Sequence, residues 1–98
     1  MQIEYKSRTL ERVCTNARIA EKEYGREIAI KIHQRIDQIT VSDSVEMLMQ
    51  FNMGRCHRLK GKRENQYAMD LVHPYRLVFE KRGMEIQIVR IIEIVDYH

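Results

Sequence analysis

The sequence predicts an α+β domain, with N-terminal helices packed on one face of a mainly antiparallel sheet of four to five strands. Three observations predict it. In the first half, apolar residues recur at three- and four-residue steps, the helical period. From Cys56 onward the period falls to two, as strands require. The chain of 98 residues has room for one core, so residues 1–98 are read as one domain without repeats or linkers.

Met1–Tyr5 is short and β-compatible, and Ser7 can cap the helix that follows. Leu10, Val13, Cys14 and Ala17 then form one helical face. The pattern resumes as Tyr24, Ile28, Ile32, Ile36 and Ile39, with Lys31, Arg35 and Asp37 assigned to other faces and Gly25 marking a bend. His33 reads as a partly exposed surface histidine of this second helix. Val41-Ser42-Asp43 reads as a turn, with Ser42 or Asp43 capping a short helix through Val45, Leu48 and Met49. Strands are expected at Cys56–Leu59, Tyr67–Leu71, Tyr75–Phe79 and Glu85–Asp96, with turns at His73-Pro74 and Arg82-Gly83. The run Ile86–Val95 is β-branched for most of its length and is expected to be a buried central strand.

Composition narrows the function classes. The chain is 44% hydrophobic and 32% charged with one Pro and four Gly, which suits a compact fold and not a disordered tail. No apolar run approaches the roughly 20 residues that span a bilayer, so no membrane association is expected. The start Met1-Gln2-Ile3-Glu4-Tyr5-Lys6 lacks the pattern of a signal peptide, and a cytoplasmic location is expected. Cys14 and Cys56 fit no metal or redox spacing and read as buried free thiols. Neither a metal nor a cofactor is expected.

Charge is asymmetric. Residues 1–50 carry eight basic and eight acidic side chains, whereas residues 51–98 carry nine and six. Arg55, Arg58, Lys60, Lys62 and Arg63 fall in one nine-residue stretch with no acid. Such a stretch attracts phosphate by Coulomb steering and counterion release. Ribose 2′-hydroxyl attack on the adjacent phosphate needs only a base, an acid and a cation, for which His, Lys, Tyr, Asp and Arg are suited. His57, Lys60, Arg76, Asp96, Tyr97 and His98 are placed on strands or strand ends; spacing alone does not show that they converge.

Cys56-His57-Arg58-Leu59-Lys60-Gly61, Tyr75-Arg76-Leu77-Val78-Phe79 and Val95-Asp96-Tyr97-His98, in that order, resemble the HigB branch of the RelE/ParE toxin superfamily. The resemblance is tight over residues 55–98 and general over 1–54. It implies a RelE-like fold and a toxin of a type II toxin–antitoxin system. The implied activity is ribosome-dependent endoribonuclease: cleavage of mRNA in the A site, metal-independent, inhibiting translation in the bacterial cytoplasm. The implied partners are a HigA-like helix-turn-helix antitoxin, the 70S ribosome with its mRNA, and operator DNA only through the antitoxin.

By motif position, the resemblance makes His57, Lys60, Arg76, Asp96, Tyr97 and His98 the candidate catalytic residues. Arg55, Arg58, Lys62 and Arg63 are candidate nucleic-acid contacts. His98 is assigned proton transfer, since an imidazole titrates near pH 6.5. An α-carboxylate beside it would raise its pKa, as suits a general acid. Arg76 is assigned the scissile phosphate, Lys60 and His57 phosphate binding or proton transfer, Asp96 the orientation of an imidazole, and Tyr97 base stacking. The sequence departs from the family pattern at Tyr67, where many members have Trp, at Asn65, where Gly is usual, and at Arg58, where Pro is frequent. Two other classes compete: a ParE-like gyrase poison without catalysis, and an RNA-binding module without turnover. The gyrase poison does not require Lys60, Arg76 and Asp96-Tyr97-His98 as a group. His73 is read as a turn residue and left outside the site.

Overall fold

The computed structural model describes residues 1–61 and 63–96. Strand β1 (Gln2–Tyr5) leads into helices α1 (Arg8–Thr15), α2 (Ala17–Tyr24), α3 (Arg26–Val41) and α4 (Val45–Gln50). A 3-10 turn at Met53–Arg55 precedes β2 (His57–Arg58), β3 (Gln66–Asp70), β4 (Tyr75–Arg82) and β5 (Ile88–Asp96). The five strands form one sheet in the order β1-β5-β4-β3-β2. β1 runs parallel to β5, and every other neighbour is antiparallel. This is the α+β architecture that the change of period predicts.

One sheet face is spent on the core. Tyr67 and Met69 of β3, Leu77 and Phe79 of β4, and Val89 and Ile91 of β5 are buried with Val13, Ala20, Ile32, Ile39 and Leu48 from the helices. Tyr67 and Phe79 stack with ring centroids 5.6 Å apart. A bulge in the β4–β5 ladder makes this phasing possible. Val78 opposes Glu93 and Phe79 opposes Ile91, leaving Ile92 as the extra residue. Without it, Ile91 and Ile94, three apart, could not both face the helices. With it, Arg90 and Glu93 both fall on the opposite face.

Four expectations need correction. The first is the number of helices: the apolar pattern from Leu10 to Ile39 is read as two helices, and the structure has three. Asn16 ends α1 and begins α2, its side chain accepting from the Arg18 and Ile19 amides at 3.0 and 3.2 Å. Second, the α4 cap is Ser44, which accepts from the Met47 amide at 3.1 Å, while Ser42 closes α3. Third, the last strand starts at Ile88, because β4 ends at Arg82 and leaves Glu85–Gln87 no ladder partner. Ile86 is consequently 78% exposed. β5 is an interior strand, but only Val89 and Ile91 are fully buried; β4 is the centre. Fourth, Arg35 is buried rather than on an outer face of α3.

Two links hold the helices to the sheet. The Gln87 carboxamide accepts from the Val45 amide at 2.9 Å and donates to Glu46 at 2.6 Å, completing the start of α4 from the loop before β5. His33 is half-buried and its Nε2 donates to the Val13 carbonyl at 3.1 Å, joining α3 to α1. Both thiols are buried and unpaired, as expected, and burial pushes the Cys14 and Cys56 pKa values up to about 12.

Ser44→Ala is expected to cost about 1 kcal/mol in urea unfolding, and Asp43→Ala a few tenths at most. The unfolded thiols ionise near 9.0 and the folded ones only near 12, so the thiol contribution to stability is complete below pH 9 and is lost as pH rises toward 12. A thiol reagent at pH 8 should label the native chain slowly and the unfolded chain at both cysteines.

Candidate active site

Strand alternation puts a second set of side chains on the face away from the helices. Directly opposed residues share a face. The register therefore aligns His57 with Ala68 and Val78, Asp70 with Arg76 and Val95, and Gln66 with Glu80 and Arg90. Neighbouring strands lie about 4.8 Å apart and residues rise about 3.4 Å each, so the Cα atoms of His57 and Arg76 are separated by about 12 Å.

Each sequence-predicted residue falls as follows. His57 opens β2 half-buried, and its Nδ1–H donates to the Arg55 carbonyl at 2.9 Å, leaving Nε2 as the acceptor of the neutral ring. Lys60 is exposed just beyond β2, with no ion pair to any described residue. Arg76 is partly buried on β4, its Nε 3.3 Å from the Asp70 carboxylate. Asp96 ends β5 opposite Tyr75, and Val95 is the residue opposite Arg76. Tyr97, His98 and Lys62 lie outside the described residues.

The candidate nucleic-acid contacts separate. Arg58 opposes Tyr67, hence sits on the helix side at the sheet edge, away from His57. Arg55 is exposed at the end of the 3-10 turn, its Nε 3.3 Å from Asp70. Arg63 is not a solvated cation of the basic run. Its Nε donates to Gln66 and its Nη2 to Glu93, both at 2.7 Å, so it reaches from the β2–β3 loop to β5 across the open face. That bridge lies over the rows that bury Ala68 and Val78.

Sequence reading missed Asp70 and Arg35. Asp70 is the anchor of an arginine cluster. Arg55 and Arg76 approach its two carboxylate oxygens, and the Arg35 Nε donates to its main-chain carbonyl at 2.7 Å. Gln38 takes a further Arg35 N–H at 3.1 Å. Burial lowers the Arg35 pKa from the ordinary arginine value, and the Asp70 charge opposes that shift. The signal for Arg35 was present: Ile28, Ile32, Arg35 and Ile39 keep the apolar spacing of α3, so Arg35 is a charge on the buried stripe. Asp70 has no comparable signal, since only the β3–β4 register brings it to Arg76. A cleft of about 150 Å³ opens here, lined by Arg55, Asp70, His73, Tyr75 and Arg76. His73 is a turn residue, as expected, and lies at the wall of this cleft.

No protein-family model matches this sequence, and no curated protein matches it. Among solved structures, the chain is similar to the "YoeB/ParE toxin from Agrobacterium tumefaciens", with a TM-score of 0.68 over 100% of both chains at 13% identity. At that identity the likeness concerns the fold. The chain has the α+β fold of a toxin of the RelE/ParE type: four helices packed on a five-stranded, mostly antiparallel sheet. No described helix is long and apolar enough to cross a membrane.

Gly54 makes the Arg35 contact possible. A Cβ there would stand 2.5 Å from the Arg35 Nε, and Gly54 has φ +55°. Gly54→Ala should therefore lower stability by about 1–3 kcal/mol in chemical unfolding, through displacement of the guanidinium and backbone strain.

Proposed function

We propose that this chain is the toxin of a type II toxin–antitoxin pair and acts as a ribosome-dependent endoribonuclease on mRNA in the A site. The observation that carries the reading is the toxin fold together with what stands on the sheet face away from its helices: Arg76 and His57 share that face, beside the basic stretch 55–63. Transfer needs no group beyond protein side chains. A base removes the proton from the ribose 2′-hydroxyl, that oxygen attacks the adjacent phosphorus, and an acid protonates the departing 5′-oxygen.

His57 suits one of the proton transfers, because its Nδ1–H bond to a carbonyl fixes the tautomer and turns Nε2 into an acceptor. Arg76 suits the charge of the five-coordinate phosphorus through its planar fork. Lys60 adds an exposed cation just beyond β2. Asp96, Tyr97 and His98 are assigned to the same site on the motif resemblance, with His98 the second proton-transfer group. Arg55, Arg58, Lys62 and Arg63 are assigned to message or ribosomal RNA, and Arg63 also fixes the loop that carries Lys60.

The partner in this reading is a helix-turn-helix antitoxin of the HigA kind, which neutralises the toxin and carries it to operator DNA in a bacterial cytoplasm. An exposed apolar groove of about 310 Å³, lined by Val41, Met47, Phe51 and Met53 among others, supports a protein partner, since such surfaces are usually covered.

The test is message cleavage on programmed ribosomes. The intact chain should cut in the A site, a chain lacking Tyr97-His98 should not, and Arg76→Gln should slow the single-turnover rate by about 10²–10³-fold. Absence of cutting by a folded intact chain would overturn the reading and turn attention to gyrase inhibition.

A further inference from the structure

The exposed apolar side chains gather in one place. Among the described residues six large ones are exposed, and four of them, Val41, Phe51, Met53 and Ile86, line two hollows that share Ser42. Val41 and Phe51 are 82% and 60% exposed. The first hollow, about 310 Å³, lies among the end of α3, α4 and the 3-10 turn. Its polar lining is already engaged. Gln38 accepts from Arg35 at 3.1 Å, and the Ser42 hydroxyl donates to the Ser44 carbonyl at 2.9 Å. The Ser42 amide closes α3, and the Phe51 and Asn52 amides bond to the Met47 and Met49 carbonyls. Such a hollow offers apolar surface and few hydrogen-bonding partners. It suits a segment that satisfies its own backbone, a helix, better than an added strand or a polar small molecule.

Charge narrows the occupant further. Residues 36–54, which build this hollow, carry Asp37, Asp43 and Glu46 and no Lys, Arg or His, whereas the rest of the chain has 17 basic and 11 acidic side chains. Asp37 lies one turn before Val41 on α3, and Asp43 and Glu85 line the neighbouring hollow. All three are exposed, with no ion pair to a described residue. Lys81, the cation that reaches α4, pairs with Glu46 at 3.0 Å, and Arg55, which follows the segment, pairs with Asp70. An acidic rim repels phosphate and anionic lipid. It also opposes a two-fold pair of copies, which would set acid against acid. A head-to-tail copy lacks the complement: outside the hollow, α1, α2 and α4 present no large exposed apolar side chain, and α3 presents only Ile30.

We propose that this hollow is a docking groove for an amphipathic helix of another protein, one that sets an apolar stripe on Val41, Met47, Phe51 and Met53 and basic side chains against Asp37 and Asp43. The two features act together. Burial of the stripe supplies affinity, and the acidic rim selects partners by the sign of their flanking charge. In the toxin–antitoxin reading, on which the expectation of a partner rests, the helix belongs to the antitoxin; the chemistry of the groove stands without that reading.

The experiment is a fluorescence titration of the intact chain, which has no Trp, with peptides that carry one. The probe is a designed helix of about 18 residues made of Leu, Ala and Lys, with Leu and Trp on one stripe. It is compared with a counterpart that has Glu in place of Lys. The Trp emission of the basic peptide should shift to the blue and saturate, and the acidic peptide should bind at least about tenfold more weakly at low salt. Val41→Ser and Phe51→Ser should each weaken the basic peptide about five- to tenfold, and Ile30→Ser should leave it unchanged. Asp37→Lys with Asp43→Lys should reverse the order of the two peptides. Glu21→Lys with Glu23→Lys, the same change of net charge on α2, should not. Thermal melts confirm folding, and should Phe51→Ser unfold, the fully surface-facing Val41→Ser carries the test. A basic peptide that fails to bind, that binds no better than the acidic one, or that binds Val41→Ser as it binds the parent overturns the proposal. So does self-association of the parent chain that Val41→Ser abolishes, which would give the groove to a second copy. Message cleavage is read separately: a chain that docks the helix and never cuts RNA keeps the groove and loses the ribonuclease assignment, and one that cuts without docking does the reverse.

Discussion

Alternation along β4 is the constraint on which the rest depends. Every second residue of this central strand must face the helices, and Leu77 and Phe79 do so without exposure. Arg76, Val78 and Glu80 are thereby turned the other way. A slip of one residue would bury Arg76 and expose Phe79, at a cost of several kcal/mol for the aromatic ring alone. The core thus fixes the orientation of the polar face without any contact made for function. The bulge at Ile92 extends the same phasing to β5, keeping Val89 and Ile91 inside and Arg90 and Glu93 outside.

A second tie joins the helical layer to the opposite face of the sheet. Arg35 leaves the buried stripe of α3 and reaches the Asp70 main chain at the end of β3, passing a turn that only Gly54 can form so closely. The position of Asp70, and through it the approach of Arg55 and Arg76, is therefore set by α3 and the 3-10 turn together. On the opposite side of that face Arg63 performs a similar service for the β2–β3 loop, holding it to β5 through Glu93. The two arginines do different electrostatic work. Arg35 is desolvated and stays charged beside a carboxylate, while Arg63 is half-exposed and acts as a strut.

Much of this was legible in the sequence because period and burial are local. The change of period at Cys56, the Ser7 cap and the buried cysteines needed no tertiary information. The misreadings share a cause: they involve residues whose role is decided by something distant in sequence. Asn16 competes with an unbroken helix only by capping the next one. Ser44 outranks Ser42 because α3 runs far enough to use Ser42 as its own end. Arg63 looked like one more cation of a basic stretch until Glu93, thirty residues on, came within 2.7 Å. Register was the least legible quantity, and the candidate site consists almost wholly of register. His57, Arg76 and Asp70 were brought to one face by pairing, whereas Asp96 was set opposite Tyr75.

The central claim is that the sheet face away from the helices is the surface that meets nucleic acid. Amide and side-chain chemical shifts of a ¹⁵N-labelled chain, followed during titration with a short 2′-deoxy oligonucleotide, test it residue by residue. The account predicts that the largest changes fall on His57, Asp70, Arg76, Glu93 and the Arg63 guanidinium, with α1 and α2 silent. Changes concentrated on the helices, with the open face unmoved, would contradict it.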